Sequence, residues 1–493
     1  MDIKKLLNNI VSWPDDHDIE ITGLSFDSRL TQVGDLFLAH ATSIELHEQY
    51  IAQAIKKGAV AILRETQPSL ETFTIRVVQD RSIPILCVDA LASKAGIIAA
   101  RFYENPSDSL LLIGVTGTNG KTSCCQFIAE ILEKTHRRCG IIGTLGTGFP
   151  HKITPGSLTT PDAITLQKTL STLQQAGARY IAMEASSHSL VQRRTAGIQF
   201  DIGIFTNLTQ DHLDYHGNME NYAQAKRLLF AEYPLKYAVI NADDPFGQKL
   251  LSEYASQFPC YAYTLSDTKT NVPTISAHRI KLTAHGISAY IETPWGEGQI
   301  KTSLLGRFNL SNLLAAIATL SIIGCPLPQI LTQISSLTTV PGRMQAIGGG
   351  KLPLVVIDYA HTPDALEKAL TSLREHTHGK LWCVFGCGGN RDADKRHLMG
   401  EIAERYSDQI IITDDNPRFE NPDKIIDDIT QGLLCPWAAE VEQDRQTAIA
   451  HAIDCAEAGD VILIAGKGHE TYQQIMDEKI PFNDLEQARE NTV

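Results

Sequence analysis

The sequence predicts an α/β protein of several domains built around parallel sheets, and three observations carry that reading. At 493 residues the chain is too long for a single hydrophobic core, so two to four domains are expected. An apolar run, Leu110-Leu111-Leu112-Ile113-Gly114-Val115, leads into a glycine-containing turn that opens a helix predicted over 123–134. Apolar strand-like runs then alternate with helical segments to the end of the chain, the pattern of parallel sheets covered on both faces.

Taken in order, residues 1–108 carry short β-rich pieces, Ile21-Thr22-Gly23-Leu24-Ser25-Phe26 and Asp35-Leu36-Phe37-Leu38, followed by a helix over 50–57 and a strand over 59–63. They form a small α/β module. In residues 109–339, Tyr180-Ile181-Ala182-Met183, Ile202-Gly203-Ile204-Phe205 and Tyr237-Ala238-Val239-Ile240 read as buried strands of one parallel sheet. Val340-Pro341-Gly342-Arg343 is the expected hinge. Residues 340–493 repeat the alternation with strands over 354–358, 381–385, 409–413 and 461–465, each running into a polar loop. Ligands of open α/β sheets bind at the carboxyl ends of the strands, and most of the polar motifs fall there.

The turn after the first central strand is Thr116-Gly117-Thr118-Asn119-Gly120-Lys121-Thr122. Its glycines let backbone N–H groups close around phosphate oxygens, and the following helix N-terminus adds partial positive charge. Lys121 can reach the β- and γ-phosphates of a nucleotide, and the Thr122 hydroxyl can hold Mg2+. The spacing departs from the ordinary G-x4-G-K-T, because Val115 stands where its first glycine would be.

A formal net charge of −14 argues against nucleic acid as the main partner, since a polyanion wants a basic face. The ten cysteines include no C-x2-C pair and read as reduced core thiols. Residues 1–9 are too charged for a signal peptide, and no apolar run is long enough to span a bilayer. A cytoplasmic monomer without membrane insertion is expected.

Further motifs follow the turn in fixed order: Thr159-Thr160-Pro161-Asp162, Glu184-Ala185-Ser186-Ser187-His188, and Thr206-Asn207-Leu208-Thr209-Gln210-Asp211-His212-Leu213-Asp214-Tyr215-His216. Then come Ala225-Lys226, Gly306-Arg307-Phe308-Asn309, Asp358-Tyr359-Ala360-His361-Thr362-Pro363, Asp415-Asn416-Pro417-Arg418 and Gly466-Lys467-Gly468-His469-Glu470. In this order they resemble the Mur ligases over nearly the whole chain. The resemblance implies a domain holding the UDP end of the substrate, a central ATPase, and a carboxy-terminal amino-acid domain with a Rossmann-like sheet. It also implies ATP-dependent addition of meso-diaminopimelate to UDP-N-acetylmuramoyl-dipeptide, by way of an acyl phosphate, in peptidoglycan precursor synthesis.

The same resemblance assigns residues. Thr116 to Thr122, with Asn309, Arg343, Asp358 and His361, would surround ATP; Lys121, Glu184, His212 and Lys226 would be catalytic. Thr122, Glu184 and His212 would bind Mg2+, as would Lys226 once CO2 has turned its amine into a carbamate. A lysine is carbamylated only while its amine is neutral, which burial favours; read alone, Ala225-Lys226-Arg227 is a solvated helix face. Thr159, Thr160, Ser186, Gln192 and Arg194 would contact the peptide and lactoyl end of the acceptor, and Phe26, Ser28 and Ser43 the uridine end. The loop bearing Ser43 departs from the H-x-x-D-G-R-like run of many relatives, reading Ser43-Ile44-Glu45-Leu46-His47-Glu48.

Arg391, Asp415, Asn416, Pro417, Arg418, Gly466 and Glu470 would form the diaminopimelate site. A guanidinium grips a carboxylate with two parallel hydrogen bonds, and relatives that add lysine usually lack the arginine at the position of Arg418. Two alternatives stay open at this point. One is a folylpolyglutamate-type ligase, which the long amino-terminal module and the Asp415-to-Arg418 motif disfavour; the other is a nucleotide switch that uses the phosphate loop without ligation.

Overall fold

The computed structural model describes residues 1–40, 44–66, 72–78, 81–156 and 158–492. Two compact units divide the chain, Met1–Tyr263 with Thr268–Thr274, and Thr264–Asp267 with Ile275–Val493.

The first unit contains two sheets. The amino-terminal sheet runs Gly23–Ser25, Asp35–Ala39, Ala61–Thr66, Arg81–Asp89, Phe73–Val78, all parallel except the last strand. Its helix Ile44–Lys57 starts earlier than the helix expected over 50–57, so Glu45 to Glu48, expected in a uridine loop, are helical. Ser43 lies outside the described residues. In the larger sheet, neighbouring strands are Cys260–Thr264, Tyr237–Asn241, Ile202–Phe205, Leu111–Thr116, Tyr180–Glu184 and Cys139–Gly143, all parallel. An antiparallel pair, Gly146–Phe149 and Lys152–Thr154, finishes that edge. The near-continuous apolar strands follow from burial on both faces.

Leu111–Thr116 is the third strand from Cys139–Gly143 and is flanked by Ile202–Phe205 and Tyr180–Glu184. The chain leaves it toward one edge through Cys139–Gly143 and returns on its other side at Ile202–Phe205, so the strand order reverses there and a crevice opens at its carboxyl end. The register aligns Val115 with Glu184 and Thr116 with Phe205, so all three strands deliver their last residues to the same rim. Glycine is required at Gly117, with φ 148°, because a Cβ there would lie 1.9 Å from the Thr206 hydroxyl.

In the second unit, an antiparallel meander (Thr274–Thr283, Gly286–Thr293, Gly296–Thr302) precedes the helices Arg307–Ile322 and Leu327–Ile334. The six-stranded sheet that follows is ordered Gln345–Gly348, Leu354–Asp358, Val461–Ala465, Leu381–Phe385, Gln409–Ile412, Ala439–Val441, with only the first strand antiparallel. Strand alternation splits its core in two. Leu354 and Val356 pack toward the helices Pro363–Arg374, Asp394–Tyr406 and Pro422–Thr430, while Val355 and Ile357 pack toward Arg445–Cys455 and Asp484–Asn491. His376 ties the unit together: the Gly306 N–H donates to its Nε2 at 2.8 Å, leaving Nδ1 to donate to the Thr283 carbonyl at 2.7 Å.

All ten cysteines are free thiols, but only seven are core residues. Cys435 and Cys455 are exposed, contrary to expectation, because they lie at element ends rather than in the sheets. Among the described residues, no helix is long and apolar enough to cross a membrane.

The back of the second sheet holds an ion pair with both side chains fully buried: Arg445 Nε donates to Asp484 Oδ1 at 2.7 Å and Nη2 to Oδ2 at 2.8 Å. Asp484→Ala strands the guanidinium in the core and is expected to cost about 3–5 kcal/mol. The double variant Arg445→Met/Asp484→Leu should recover most of that loss. Urea midpoints of the three proteins check this; a single variant as stable as wild type would refute it.

Candidate active site

The phosphate loop is held from the neighbouring strand. The Thr118 N–H donates to the Asn207 carbonyl at 2.9 Å, the Asn119 N–H to Asn207 Oδ1 at 2.9 Å, and the Thr206 hydroxyl to the Asn119 carbonyl at 2.5 Å. Helix Lys121–Lys134 starts immediately after Gly120, whose φ of 86° makes the left-handed turn, two residues before the expected start. Lys121 Nζ folds over the loop and donates to the carbonyls of Gly117 (2.9 Å) and Thr118 (2.8 Å). It is therefore poised above the cradle that phosphate oxygens would enter.

Glu184 ends the adjacent strand with its carboxylate on the first turn of that helix. Oε1 accepts from the Thr122 hydroxyl at 2.9 Å and from the Thr144 N–H at 2.8 Å, and a Cβ at Gly143 would lie 2.3 Å from the same oxygen. Hydroxyl and carboxylate oxygens side by side are the hard donors that Mg2+ takes, with water and phosphate completing its octahedron. Among the described residues, no group of three or more His, Cys, Asp and Glu could hold a metal ion.

The bare reading of Lys226 as solvated is corrected: the side chain is only 1% exposed. Helix Met219–Ala231 places Tyr222 one turn earlier on the same face, with Lys226 Nζ 4.1 Å from the ring centroid. Burial drives the Lys226 amine well below the ordinary ammonium range, the Lys121 charge adds to the effect, and Asp211 opposes it. Among the described residues, no carboxylate lies within ion-pair distance of Nζ. Tyr222 OH reaches Thr118 Oγ1 at 3.3 Å, and its ring lies 6.1 Å from that of His212. Thus Tyr222 joins the phosphate loop, Lys226 and His212.

Thr159, Thr160, Ser186, Gln192 and Arg194 form a second chain running back to Glu184. The Thr160 hydroxyl donates to the Glu184 carbonyl at 2.7 Å and lies 3.3 Å from Ser186 Oγ; Thr159 meets Thr144 hydroxyl to hydroxyl at 3.2 Å. Arg194 donates to the Thr160 carbonyl at 3.0 Å and to Gln192 Oε1 at 2.9 Å, and Gln192 donates to Tyr215 OH at 3.1 Å. Ser28 is held by Gln53 Oε1 at 2.7 Å, and Phe26 packs on the amino-terminal core.

In the second unit, Asp358 ends its strand and accepts from the Met344 N–H at 2.8 Å; burial pushes its carboxyl up, with Arg343 opposing. Arg343 lies 5.1 Å from the Tyr359 ring centroid, and the His361 ring 4.5 Å from the same ring. Asn309 is buried and donates to the Leu305 carbonyl at 2.8 Å.

Around the amino-acid motifs, Arg418 has φ 52° and is pinned by backbone bonds, its N–H donating to the Gln474 carbonyl and its carbonyl accepting from the Met476 N–H. Its guanidinium donates to the Gly389 carbonyl at 2.8 Å, beside the exposed Arg391. Pro417 lies against Gly389, where a Cβ would meet the Pro417 carbonyl at 2.0 Å. At Gly466, φ 116°, a Cβ would lie 2.6 Å from Asp415 Oδ2, and Asn416 Nδ2 donates to Glu470 Oε2 at 2.9 Å.

Sequence reasoning missed Thr144, Tyr222 and Arg396. Tyr222 had a signal in its i, i+4 spacing from Lys226, whereas Thr144 and Arg396 had none. Arg396, fully buried, donates to both Glu420 oxygens (2.7 and 2.8 Å), to Asp428 (2.8 Å) and to the Gly388 carbonyl (3.3 Å), locking together the loops that carry Arg391 and Arg418. That pairing lowers the Glu420 carboxyl to about 2. A depressed carboxylate contributes stability that is complete above its unfolded value, about 4.3, and is lost as pH falls toward 2. Between pH 5 and 2 the urea midpoint of wild type should therefore fall further than that of Glu420→Gln; parallel curves would refute the clamp.

A phosphate loop with a carboxylate on the first turn of its helix and a buried lysine nearby are the parts of a nucleotide-using enzyme, and this chain belongs to the Mur ligase family. The Mur ligase middle domain matches residues 115–320, and the Mur ligase, glutamate ligase domain matches residues 342–468. The chain is 48% identical over 476 residues to the UDP-N-acetylmuramoyl-L-alanyl-D-glutamate--2,6-diaminopimelate ligase of Coxiella burnetii, covering 96% of each protein. It is likewise 48% identical to the Pseudomonas aeruginosa enzyme of that name, covering 96% of this chain and 95% of the other. A solved structure of a ligase of the same name superposes with a TM-score of 0.74 at 34% identity, over 100% of this chain and 98% of that one. A folylpolyglutamate synthase of Mycobacterium tuberculosis shares the fold alone, with a TM-score of 0.59 at 17% identity over 75% of this chain.

Proposed function

We propose that this protein is the ATP-dependent ligase that adds meso-2,6-diaminopimelate to UDP-N-acetylmuramoyl-L-alanyl-D-glutamate in peptidoglycan precursor synthesis. The observation that carries the reading is the meeting of Lys121, Thr122 and Glu184 at one strand rim, in a chain nearly half identical to ligases named for that reaction. Residues 109–339 bind ATP, 1–108 the UDP end and 340–493 the amino acid. The protein acts as a monomer in the cytoplasm.

Amide formation from a free carboxylate is uphill in water, so the acceptor carboxylate first attacks the γ-phosphorus of ATP, releasing ADP and leaving an acyl phosphate. The amine of diaminopimelate then attacks the acyl carbon; phosphate leaves and the nitrogen gives up a proton. Phosphoryl transfer is mostly positioning and charge neutralisation. Lys121 and the loop N–H groups hold the phosphates, while Thr160, Ser186, Gln192 and Arg194 hold the acceptor so that its carboxylate lies near Glu184. Thr122 and Glu184, and His212 with Lys226 once carbamylated, would hold Mg2+, which would supply the charge neutralisation. In the second unit Arg391 and Arg418 take the amino acid's carboxylates.

Incubation with ATP, UDP-N-acetylmuramoyl-dipeptide and diaminopimelate tests the function. ADP release should require both partners; release without them would favour a nucleotide switch. Lys226→Ala should lose activity, and acetate or formate should partly restore it by filling the vacated anion site. An active variant would reject the carbamate role, as would an inactive one that no short carboxylate rescues.

A further inference from the structure

Lys467, in the Gly466-to-Glu470 motif, has no part in the reaction described above, yet its side chain is completely buried. A cation is costly to bury and persists only where its partners are fixed. Those partners are two residues of the amino-acid site. Lys467 Nζ donates to Asn416 Oδ1 at 3.0 Å and to Glu470 Oε2 at 3.2 Å. Asn416 Oδ1 also accepts from the Gln474 N–H at 2.8 Å, so both of its lone pairs are used and the amide can face only one way. The Asn416 NH2 group is thereby turned onto Glu470 Oε2, 2.9 Å away.

We infer that Lys467 is a positioning residue that sets amino-acid selectivity, an inference that rests on the proposed diaminopimelate site. Among the described residues, the triangle of Lys467, Asn416 and Glu470 leaves one Asn416 N–H to donate and Glu470 Oε1 to accept. A donor for a carboxylate beside an acceptor for an ammonium matches a zwitterionic amino-acid end, the group that distinguishes diaminopimelate from lysine. Charge acts in the same direction. Lys467 and Glu470 cancel, so the site does not attract a bare side-chain ammonium over a zwitterion. Without the lysine charge, Glu470 stands uncompensated beside the buried Asp415; a carboxylate is then repelled and a simple ammonium favoured.

The test is kcat and KM for diaminopimelate and for lysine in wild type, Lys467→Met and Lys467→Gln, with Tm measured on each. In Lys467→Met, kcat/KM for diaminopimelate should fall by about thirtyfold or more, chiefly through KM. The diaminopimelate-to-lysine ratio should fall at least about tenfold, and the KM for ATP should stay unchanged. Lys467→Gln keeps a donor for Asn416 but no charge; it should shift the ratio in the same direction and carries the test should the Met variant not fold. A folded variant with the wild-type ratio overturns the inference, as does an equal loss for both amino acids, the mark of a merely structural lysine. A wild type that makes no ADP with diaminopimelate fails the proposed function itself, and this inference with it.

Discussion

Lys121→Ala is expected to lower kcat/KM about a thousandfold, about 4 kcal/mol of transition-state stabilisation, while leaving the protein folded. The stability cost is small because its bonds to the carbonyls of Gly117 and Thr118 are each worth about 1 kcal/mol net. The kinetic cost is large because that ammonium would lie against phosphoryl oxygens whose negative charge is redistributed during transfer. Tm and ADP formation measured on the same preparation separate the two. A variant turning over near the wild-type rate would remove the phosphate loop from the mechanism.

The phosphate loop was legible because its constraints are local. Gly117 and Gly120 both adopt positive φ, the preceding strand is buried on both faces, and a helix follows at once. Strands such as Ile202–Phe205 and Leu381–Phe385 were readable to the residue for the same reason, since continuous apolar runs leave little freedom in a parallel sheet. The meander from Thr274 to Thr302 was not legible: its strands alternate buried residues with His278, Lys281 and Glu292, so no apolar run marks them. Lys226 shows the limit most sharply. Flanked by Ala225 and Arg227 it reads as solvated, and its burial comes from packing that only the folded chain creates, against the face carrying Tyr222. Arg396 was invisible likewise, because its partners lie up to 32 residues away in sequence.

Arg418→Ala is expected to weaken diaminopimelate use while sparing both other substrates. The arginine is prepared for a carboxylate before one arrives. Its backbone sits in the left-handed region between Gln474 and Met476, Nη1 is tethered to the Gly389 carbonyl, and among the described residues no acidic side chain pairs with it. A guanidinium held by one arm keeps its remaining N–H groups for a ligand carboxylate. The distal carboxylate of diaminopimelate can take that place, whereas lysine has nothing to offer there. Removing one partner of a desolvated charge pair costs about 2–5 kcal/mol. Arg418 is half-buried rather than fully enclosed, so water screens the pair and the lower part of that range applies, about 2–3 kcal/mol or about 30- to 150-fold in kcat/KM. Arg391, exposed and without such a tether, should cost less when truncated. Because lysine never used the contact, its own kcat/KM should hardly change, and the preference for diaminopimelate should shrink by nearly the whole factor. The measurement is kcat/KM for both amino acids in wild type and variant, with KM for ATP and for the UDP-linked acceptor as controls. A wild type that prefers lysine, or a variant that keeps its preference for diaminopimelate, would show that the carboxylate lies elsewhere.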